Sequence, residues 1–235
     1  MSQPAIEILR KRYERKYTPE VLTAPQAKNI IRSSPGFFKP LYYPRYINNI
    51  YLDTIHFDNY YDNVHGRSER KKIRIRWYGD LLQHNASPLL EIKIKSAHVS
   101  DKIQFMLPHC DIATILHSHS AMQTFLQQAE LPETISNMLK TLHPCLLNRY
   151  NRTYFIDTTG NFRMTVDENI RYQGLRDNCN RIIRPVSLNK NPVIELKYDE
   201  KFDDEASRIT ENIPFRLTKN SKYVNGIESF FNVVY

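Results

Sequence analysis

The clearest hydrophobic pattern in the chain is a strict alternation over residues 72–79, which read KIRIRWYG. Successive side chains of a strand point to opposite faces, so Lys72, Arg74 and Arg76 project from one face, while isoleucine and tryptophan project from the other. Arg70 extends the cationic row upstream. A strand face that meets only water has no need of consecutive basic residues. The segment therefore predicts a strand with one apolar and one strongly cationic face.

The same alternation recurs elsewhere and predicts most of the other strands. On each of them the ionic side chains stay in step with one another, opposite a largely apolar face. The predicted strands cover residues 6–17, 46–53, 72–79, 89–95, 102–107, 147–156, 162–167 and 192–198. Helical composition separates them at residues 25–32, 54–64, 111–142 and 203–212, and again after residue 222. Pro132 divides the stretch 111–142 into two predicted helices.

Helices that cover the apolar faces force the ionic faces to converge. This predicts an α+β fold, in which a closed antiparallel β-barrel of about eight strands forms a tunnel with the helices packed outside. Barrels of this length commonly fold as one unit, so residues 1–235 are predicted to form a single domain. Hydrophobic residues make up 41% of the chain, which is typical of a globular protein.

The net charge of +8 at pH 7 indicates an anionic partner. Two like charges about 4 Å apart repel by about 4 kcal/mol at an effective dielectric of roughly 20, so a tunnel lined by arginine and lysine is costly when empty. We therefore expect an anionic ligand to supply the missing charge. Neither a GxxxxGK(S/T) nor a GxGxxG motif is present, so side chains must hold any phosphate groups.

Arginine binds phosphate through a planar fork of donors, and lysine binds it as a point charge. Glu14, Glu91 and Glu195 are isolated among the predicted cations. Carboxylate and phosphate oxygens are the ligands that divalent metals such as Mg²⁺ prefer. The three glutamates are therefore candidates for holding a metal beside a bound phosphate.

The positions of the cysteines and histidines argue against disulfide bonds and against a metal site built from these residues. The three cysteines, Cys110, Cys145 and Cys179, are too far apart for a disulfide framework or a close-spaced zinc site. His117 and His119 would point in different directions on a helix, which argues against a metal motif.

No apolar run approaches the roughly 20 residues that cross a bilayer, and no signal peptide is evident. We expect a soluble, cytoplasmic protein, and docking to a membrane-bound partner stays open.

Seven short motifs, in order from Arg12 to about Gly226, resemble the VTC catalytic domain, which is the polyphosphate polymerase branch of the CYTH-like triphosphate tunnel metalloenzymes. The motifs are Arg12-x-Glu14-x-Lys16, Lys72-x-Arg74-x-Arg76-Trp77-Tyr78-Gly79, Glu91-x-Lys93, Tyr150-x-Arg152, Arg163-x-Thr165-x-Asp167, Glu195-x-Lys197 and Lys219-x-Ser221-Lys222-Tyr223. Most are weak alone, whereas RxRWYG combined with the later SKYV is specific.

The resemblance implies a tunnel of eight antiparallel strands that binds ATP and polyphosphate or pyrophosphate with Mn²⁺ or Mg²⁺, and no nucleic acid. Carried over by position, the catalytic cations are Lys16, Arg74, Arg76, Lys93, Arg152 and Arg163. The substrate-binding residues are Arg12, Lys72, Lys102, Tyr150, Lys197, Lys219, Ser221 and Lys222. Glu195 and Glu14 would hold the metal. Arg12 stands where hydrolytic relatives carry the first glutamate of Glu-x-Glu-x-Lys.

Several alternatives remain open from the residues alone. The basic strand face could be solvated, Glu195 and Lys197 could form an ordinary cross-strand ion pair, and residues 219–222 could be a helix cap. Trp77 and Tyr154 are expected to be core aromatics and not base-stacking platforms. At the level of function, the same tunnel could serve a triphosphatase that transfers phosphate to water, or a non-catalytic module that binds polyphosphate or RNA.

Overall fold

The computed structural model describes residues 12–96, 99–176, 181–182, 187–211 and 213–231. The strands are β1 (Arg12–Tyr17), β2 (Lys39–Asp53), β3 (Glu69–Tyr78), β4 (Leu89–Ser96), β5 (Val99–Met106), β6 (His143–Ile156), β7 (Arg163–Arg176), β8 (Arg181–Ile182), β9 (Ser187–Asn189) and β10 (Val193–Asp199). The α-helices are α1 (Ala24–Arg32), α2 (Asp58–Val64), α3 (Ile112–Ile115), α4 (His119–Gln127), α5 (Glu133–Leu139), α6 (Asp203–Glu211) and α7 (Lys222–Glu228).

Eight strands form one antiparallel sheet in the order β1-β10-β7-β6-β2-β3-β4-β5, and the sheet curls into a half-barrel. This confirms the predicted α+β fold with about eight antiparallel strands and helices packed against them. The predicted closure is not made by the backbone, because the described pairings end at β1 and β5 and none joins these two strands. Side chains span the concave side, where Lys93 Nζ of β4 lies 3.7 Å from Glu14 Oε2 of β1.

The alternation of the strands decides where the cores form. The apolar faces of β3 and β4 pack beneath α3, α4 and α5, and Ile73, Ile75 and Trp77 are buried there. A second core joins α1 and α6 to the outer faces of β7 and β10. A third core lies on the concave side, where α7 packs near Tyr150, a residue that shares its strand face with Arg152. The helices therefore leave the ionic faces turned toward a common interior.

Three segments differ from the sequence-based prediction. Strand β2 begins at Lys39 and not at residue 46, because its first half is largely exposed on both faces and so shows no alternation. The region 111–142 holds three helices instead of two, since Ser118 caps α4 by accepting a hydrogen bond from Ala121 N at 3.1 Å. Residues 6–11 of the first predicted strand lie outside the described residues. In the described part of the chain, every helix is too short or too polar to cross a bilayer.

Candidate functional site

A cavity of about 480 Å³ occupies the concave side of the sheet. Eleven lysine and arginine residues but only three glutamates contribute to its lining. Most predicted site residues meet there, namely Glu14, Lys16, Lys72, Arg74, Arg76, Lys93, Lys102, Tyr150, Arg152, Glu195, Lys197, Ser221 and Lys222. The alternation in the sequence leads to this arrangement because residues two apart on one strand share a face. Paired neighbouring strands then present these faces on the same, concave side of the sheet. The solvated-face reading of the basic strand is therefore wrong.

Glu91 organises one part of the cavity, which we name the Glu91 cluster: Glu91, Arg74, Arg76 and Lys102. The register places Arg74 of β3 directly opposite Glu91 of β4. Glu91 Oε2 accepts from Arg74 Nε at 2.7 Å and lies 3.3 Å from Arg76 Nη1, while Lys102 Nζ lies 2.6 Å from Oε1. Burial opposes ionisation, yet these cations hold the pKa of Glu91 well below its usual range. Glu91 is thus the anchor for the three cations of this cluster.

The second part is the Asp167 cluster: Asp167, Glu195, Arg152, Lys197 and Lys222. Arg152 donates two hydrogen bonds to Asp167, at 2.5 and 2.6 Å, and Lys222 Nζ lies 2.6 Å from Asp167 Oδ2. Glu195 Oε2 lies 3.0 Å from Lys197 Nζ and 3.3 Å from Arg152 Nη2. Although burial opposes ionisation, the cations lower the pKa of both carboxyls. The predicted alternative of an ion pair between Glu195 and Lys197 is present, within a larger network.

Glu14 lies beside the Asp167 cluster and shares its cations. Its carboxylate lies 3.0 Å from Lys16 Nζ and 3.9 Å from Lys197 Nζ, and each of these lysines is also within 4.0 Å of Glu195. Burial and the neighbouring Glu195 raise the pKa of Glu14, but Lys197, Lys16 and Lys93 outweigh them and lower it to about 2. Both glutamates are therefore ionised at neutral pH and close to the same cations.

These two carboxylates fit a metal that shares its coordination with phosphate. Mg²⁺ is usually held by one or two carboxylates together with substrate phosphates and water. Glu14 and Glu195 supply two such groups in the cavity. The described residues contain no group of three or more histidine, cysteine or acidic side chains that could hold a metal without help. A divalent cation at this position would therefore depend on oxygen atoms of a bound ligand.

A third set of residues in the cavity lining, which we name the cationic rim, consists of Arg70, Lys72 and Lys95. The register places cation opposite cation, pairing Arg70 with Lys95 and Lys72 with Lys93. Among the described residues, no carboxylate lies within 4.0 Å of the rim side chains. Burial, followed by the charges of Lys16, Lys93, Arg74 and Arg70, lowers the pKa of Lys72 to about 7. The rim is thus the unneutralised part of the cavity.

Helix α7, Tyr51 and Tyr150 also line the cavity. Ser221 caps α7 by accepting from Val224 N at 3.3 Å, so the predicted helix cap is correct, and it also accepts from Lys72 Nζ at 2.8 Å. Tyr150 is buried, and its hydroxyl lies 3.5 Å from Arg76 Nη2. Burial raises the pKa of Tyr150, but Arg152 and Arg76 reverse the shift and leave it below the usual value. The phenol is therefore held as an acceptor for nearby cations.

A second cavity of about 360 Å³ adjoins the first, and Arg152 and Lys197 line both. Arg163 and Lys201 add positive charge to the second cavity. Thr165 also lines it, and the Thr165 hydroxyl is buried without a hydrogen-bond partner among the described residues. The second cavity therefore shares two cations with the first and has two further cations in its own lining.

Three predicted site residues do not line the first cavity. Arg163 lies in the second cavity, because β7 begins at this residue and the position is beyond Arg152 along the concave face. Lys219 is exposed and lines neither cavity, since it precedes the cap of α7. Arg12 pairs with Asp199 through β1, and its side chain is outside the described atoms. Tyr154, expected in the core, instead lines the second cavity and accepts from Arg45 Nε at 3.1 Å.

Asp167 is the main site residue that sequence reasoning did not assign a role. It is completely buried and holds both Arg152 and Lys222. The sequence did place Asp167 on the same strand face as Arg163 and Thr165, and this shared face was the only indication that it belongs to the site. Its partners come from β6 and α7, however, and pairing across distant elements cannot be read from a local period.

A curled antiparallel sheet around a cation-rich passage, with a few embedded carboxylates, defines a tunnel protein for polyanionic ligands. The family model of the VTC domain matches residues 11–231, and the chain belongs to that family. The family and its tunnel fold imply an enzyme that acts on triphosphates with a divalent metal. No curated protein matches the sequence.

Solved structures share the fold at low sequence identity. A candidate adenylate cyclase from Vibrio parahaemolyticus is 12% identical with a TM-score of 0.52, over 92% of this chain and 98% of that one. Another from Bacillus halodurans is 14% identical with a TM-score of 0.54, over 95% and 98%. A third, from Hippeastrum and described as having a dominant triphosphatase activity, is 16% identical with a TM-score of 0.52, over 93% and 96%. These similarities establish the fold.

Proposed function

We propose that the protein is a polyphosphate polymerase that transfers the γ-phosphoryl group of ATP to the end of a polyphosphate chain and releases ADP. The observation that carries this proposal is a second cavity that contains further cations and shares Arg152 and Lys197 with the first. A hydrolase needs room for one triphosphate, whereas a polymerase must hold a donor and a polyanionic acceptor together. The cations of the two cavities would supply separate places for the donor and the acceptor.

The cavity suits phosphoryl transfer because this reaction depends mainly on positioning and charge neutralisation. Glu91 fixes the guanidinium groups of Arg74 and Arg76, and Asp167 fixes that of Arg152, so their remaining donors are oriented before a ligand arrives. An ionised oxygen of the acceptor attacks the γ-phosphorus, and the bond to the β-phosphate oxygen of ATP breaks. The attacking oxygen carries no proton, so no general base is required.

Glu14 and Glu195 would hold the divalent metal together with phosphate oxygens. Mn²⁺ or Mg²⁺ held there would supply further charge neutralisation to the bound phosphate groups. Lys16 and Lys197, which contact both carboxylates, keep them ionised and confined to one place. The chain's own contribution is thus to orient two carboxylates beside the phosphate-binding cations.

Triphosphatase activity is the second candidate, and the Hippeastrum protein with the same fold is described as having such an activity. Arg12 disfavours it here, because a further carboxylate at this position would help to hold a second metal or to position water. An RNA-binding module is less well supported, since RNA recognition favours open basic surfaces with exposed stacking aromatics. The cations of this chain line a concave cavity instead.

The decisive experiment incubates the purified protein with ATP and either Mn²⁺ or Mg²⁺, and resolves the products by gel, ADP assay and phosphate release. Long phosphate chains with stoichiometric ADP support the polymerase. Free phosphate without chains would replace the proposal by hydrolysis, and binding without turnover would favour a polyphosphate sensor.

Metal binding is tested separately with Glu195→Gln. We expect this variant to keep its strand content by circular dichroism but to lose metal-dependent turnover and Mn²⁺ binding in the presence of tripolyphosphate. Glu133→Gln, a substitution of an exposed residue on α5, serves as the control. Unchanged Mn²⁺ binding and full activity in Glu195→Gln would refute the assignment of Glu195 as a metal ligand.

A further inference from the structure

Three side chains with polar groups, those of Ser221, Lys222 and Tyr223, reach the cavity from a short helix and its cap and not from the sheet. Ser221 is the cap of α7 and Lys222 is its first residue. Ser221 accepts from Lys72, while Lys222 Nζ lies 2.6 Å from Asp167 Oδ2 and 3.6 Å from Glu195 Oε1. Because the helix and the sheet are distant in sequence, the position of Ser221 and Lys222 depends on what fixes the start of α7.

The next residue, Tyr223, attaches α7 to the end of β2 and to α2. Its ring stacks on Tyr51 with centroids 5.0 Å apart and meets the edge of Tyr60 at 6.5 Å. Its hydroxyl donates a hydrogen bond to Asp53. One turn later, a Cβ added at Gly226 would lie 2.3 Å from Leu146 Cδ2, so the helix packs closely on β6. The ring contacts and the hydroxyl bond together hold the start of α7 against the end of β2 and the start of α2.

Asp53 is a completely buried carboxylate that collects donors from three elements. Oδ1 accepts from Thr54 N at 2.8 Å and from Asn59 N and Nδ2 at 2.9 and 2.8 Å. Oδ2 accepts from Tyr60 N at 3.0 Å and from Tyr223 Oη. Each of these donors is neutral, and within the described part of the chain no lysine or arginine lies within 4.0 Å of Asp53.

This arrangement separates Asp53 from the buried carboxylates of the cavity. Glu91, Asp167 and Glu195 pair with cations and so reduce the positive charge of the cavity. Asp53 holds backbone amides, an asparagine amide and a phenol, which are groups that need a fixed geometry more than a countercharge. Its contacts join the end of β2, the start of α2 and the start of α7.

We infer that Asp53 is a positioning residue that, through Tyr223, fixes Ser221 and Lys222 for phosphate binding in the cavity. The inference rests on the proposed function only in that the cavity binds polyphosphate ligands. It names a residue outside the cavity lining and a route by which that residue acts on the site.

The sharpest test is Tyr223→Phe, which keeps the ring contacts and removes only the hydroxyl bonded to Asp53. We expect tripolyphosphate binding, measured by titration calorimetry, to weaken by about tenfold, in line with the loss of a hydrogen bond to a charged group. Asp53→Asn keeps the size of the side chain and is expected to act in the same direction. Tyr223→Phe remains the deciding variant if Asp53→Asn does not fold.

A double-mutant comparison distinguishes positioning from a general loss of stability. In a Lys222→Met background, Tyr223→Phe should weaken binding by clearly less than tenfold, because one of the two side chains that it positions is already gone. In a Lys102→Met background it should keep its full effect, since Lys102 belongs to the Glu91 cluster and not to α7. Equal effects in both backgrounds would overturn the inference.

The same titrations separate this inference from the proposed function. Tripolyphosphate binding with the expected coupling, but without synthesis of phosphate chains from ATP, would overturn the polymerase proposal and leave the role of Asp53 standing. Chain synthesis with no effect of Tyr223→Phe on binding would do the reverse. An unsubstituted protein that does not bind tripolyphosphate would overturn both.

Discussion

The cavity has two regions of like charge but different construction. In the Glu91 and Asp167 clusters, which together we call the paired wall, buried carboxylates orient the guanidinium groups of Arg74, Arg76 and Arg152. In the cationic rim, like charges are placed opposite one another without a carboxylate in reach among the described residues. The wall therefore holds its cations in place before a ligand binds, whereas the rim has, in the described part of the chain, no carboxylate that could do so.

Burial explains why the two regions differ. Arg76 and Arg152 are each 8% exposed, and an unpaired charge at such a depth is strongly destabilising. Lys72 and Arg70 are only partly buried, so water can reduce the repulsion between them and their neighbours. The comparison predicts that loss of a wall carboxylate lowers stability as well as function, whereas substitutions in the rim act mainly on ligand affinity.

The largest effect is expected for Glu91→Gln. Removal of this charge leaves three cations of the Glu91 cluster without a countercharge, and loss of one partner from a buried ionic network costs about 3–5 kcal/mol. Urea denaturation should show this loss in the free energy of unfolding. Saturating tripolyphosphate should restore part of it, because a ligand that binds the folded state stabilises that state.

The matched control for Glu91→Gln is Asp62→Asn, which breaks the surface ion pair between Asp62 and Arg67, whose atoms are 3.3 Å apart. Surface pairs contribute about 0–1 kcal/mol, so this variant should unfold almost like the unsubstituted chain. Equal losses in the two variants would contradict the distinction between a paired wall and an exposed surface.

A smaller effect, on ligand affinity instead of the free energy of unfolding, is expected for substitutions of Lys72. Its pKa of about 7 in the empty cavity rises when a phosphate binds beside it, so binding above pH 7 takes up a proton. Affinity for tripolyphosphate should then fall by up to about tenfold per pH unit as the pH rises above 7. Calorimetry in buffers of different ionisation enthalpy measures the proton uptake directly.

Lys72→Arg and Lys72→Met sharpen this test. The arginine variant stays charged and should bind without taking up the proton, while the methionine variant should bind more weakly at pH 7 and lose the same pH dependence. Both should unfold at nearly the same urea concentration as the unsubstituted chain. Proton uptake that persists in Lys72→Met would assign the titration to another group.

The smallest effect is expected for Arg70→Gln at the edge of the rim. At low ionic strength it should weaken tripolyphosphate binding by about twofold to fivefold, and the difference should vanish as salt shortens the screening length below about 10 Å. Lys71→Gln is the matched control, since Lys71 is exposed on the opposite face of the same strand. A salt-independent effect at Arg70 would indicate a direct contact in place of long-range attraction.

The sequence allowed the face of each strand to be predicted, but not its depth in the cavity. Alternation placed Arg74 and Lys16 on the concave face because the period of two is a property of the extended chain. The same argument included Arg163, which the structure puts in the second cavity, since parity says nothing about position along the tunnel axis. Lys219 lies outside any strand, so parity did not apply to it and only the family resemblance suggested a role.

Residues that act through partners far away in the sequence could not be identified from the sequence alone. Asp167 meets Lys222, and Asp53 meets Tyr223, across contacts that depend on how α7 packs against the sheet. No period within one segment carries that information. The bulges between β2 and β6 are a similar case, because they shift the pairing locally between Pro40 and Arg45.

The exposed first half of β2 has a consequence for self-association. Residues 39–45 pair with β6 on one side, while the described pairing with β3 begins only at Ile47, so one edge of this half is open. An open strand edge is a template for aggregation. Pro40 and Pro44 lack the N–H groups that a second copy would need, and Lys39 and Arg45 add like charge. This edge is therefore protected against intermolecular sheet growth.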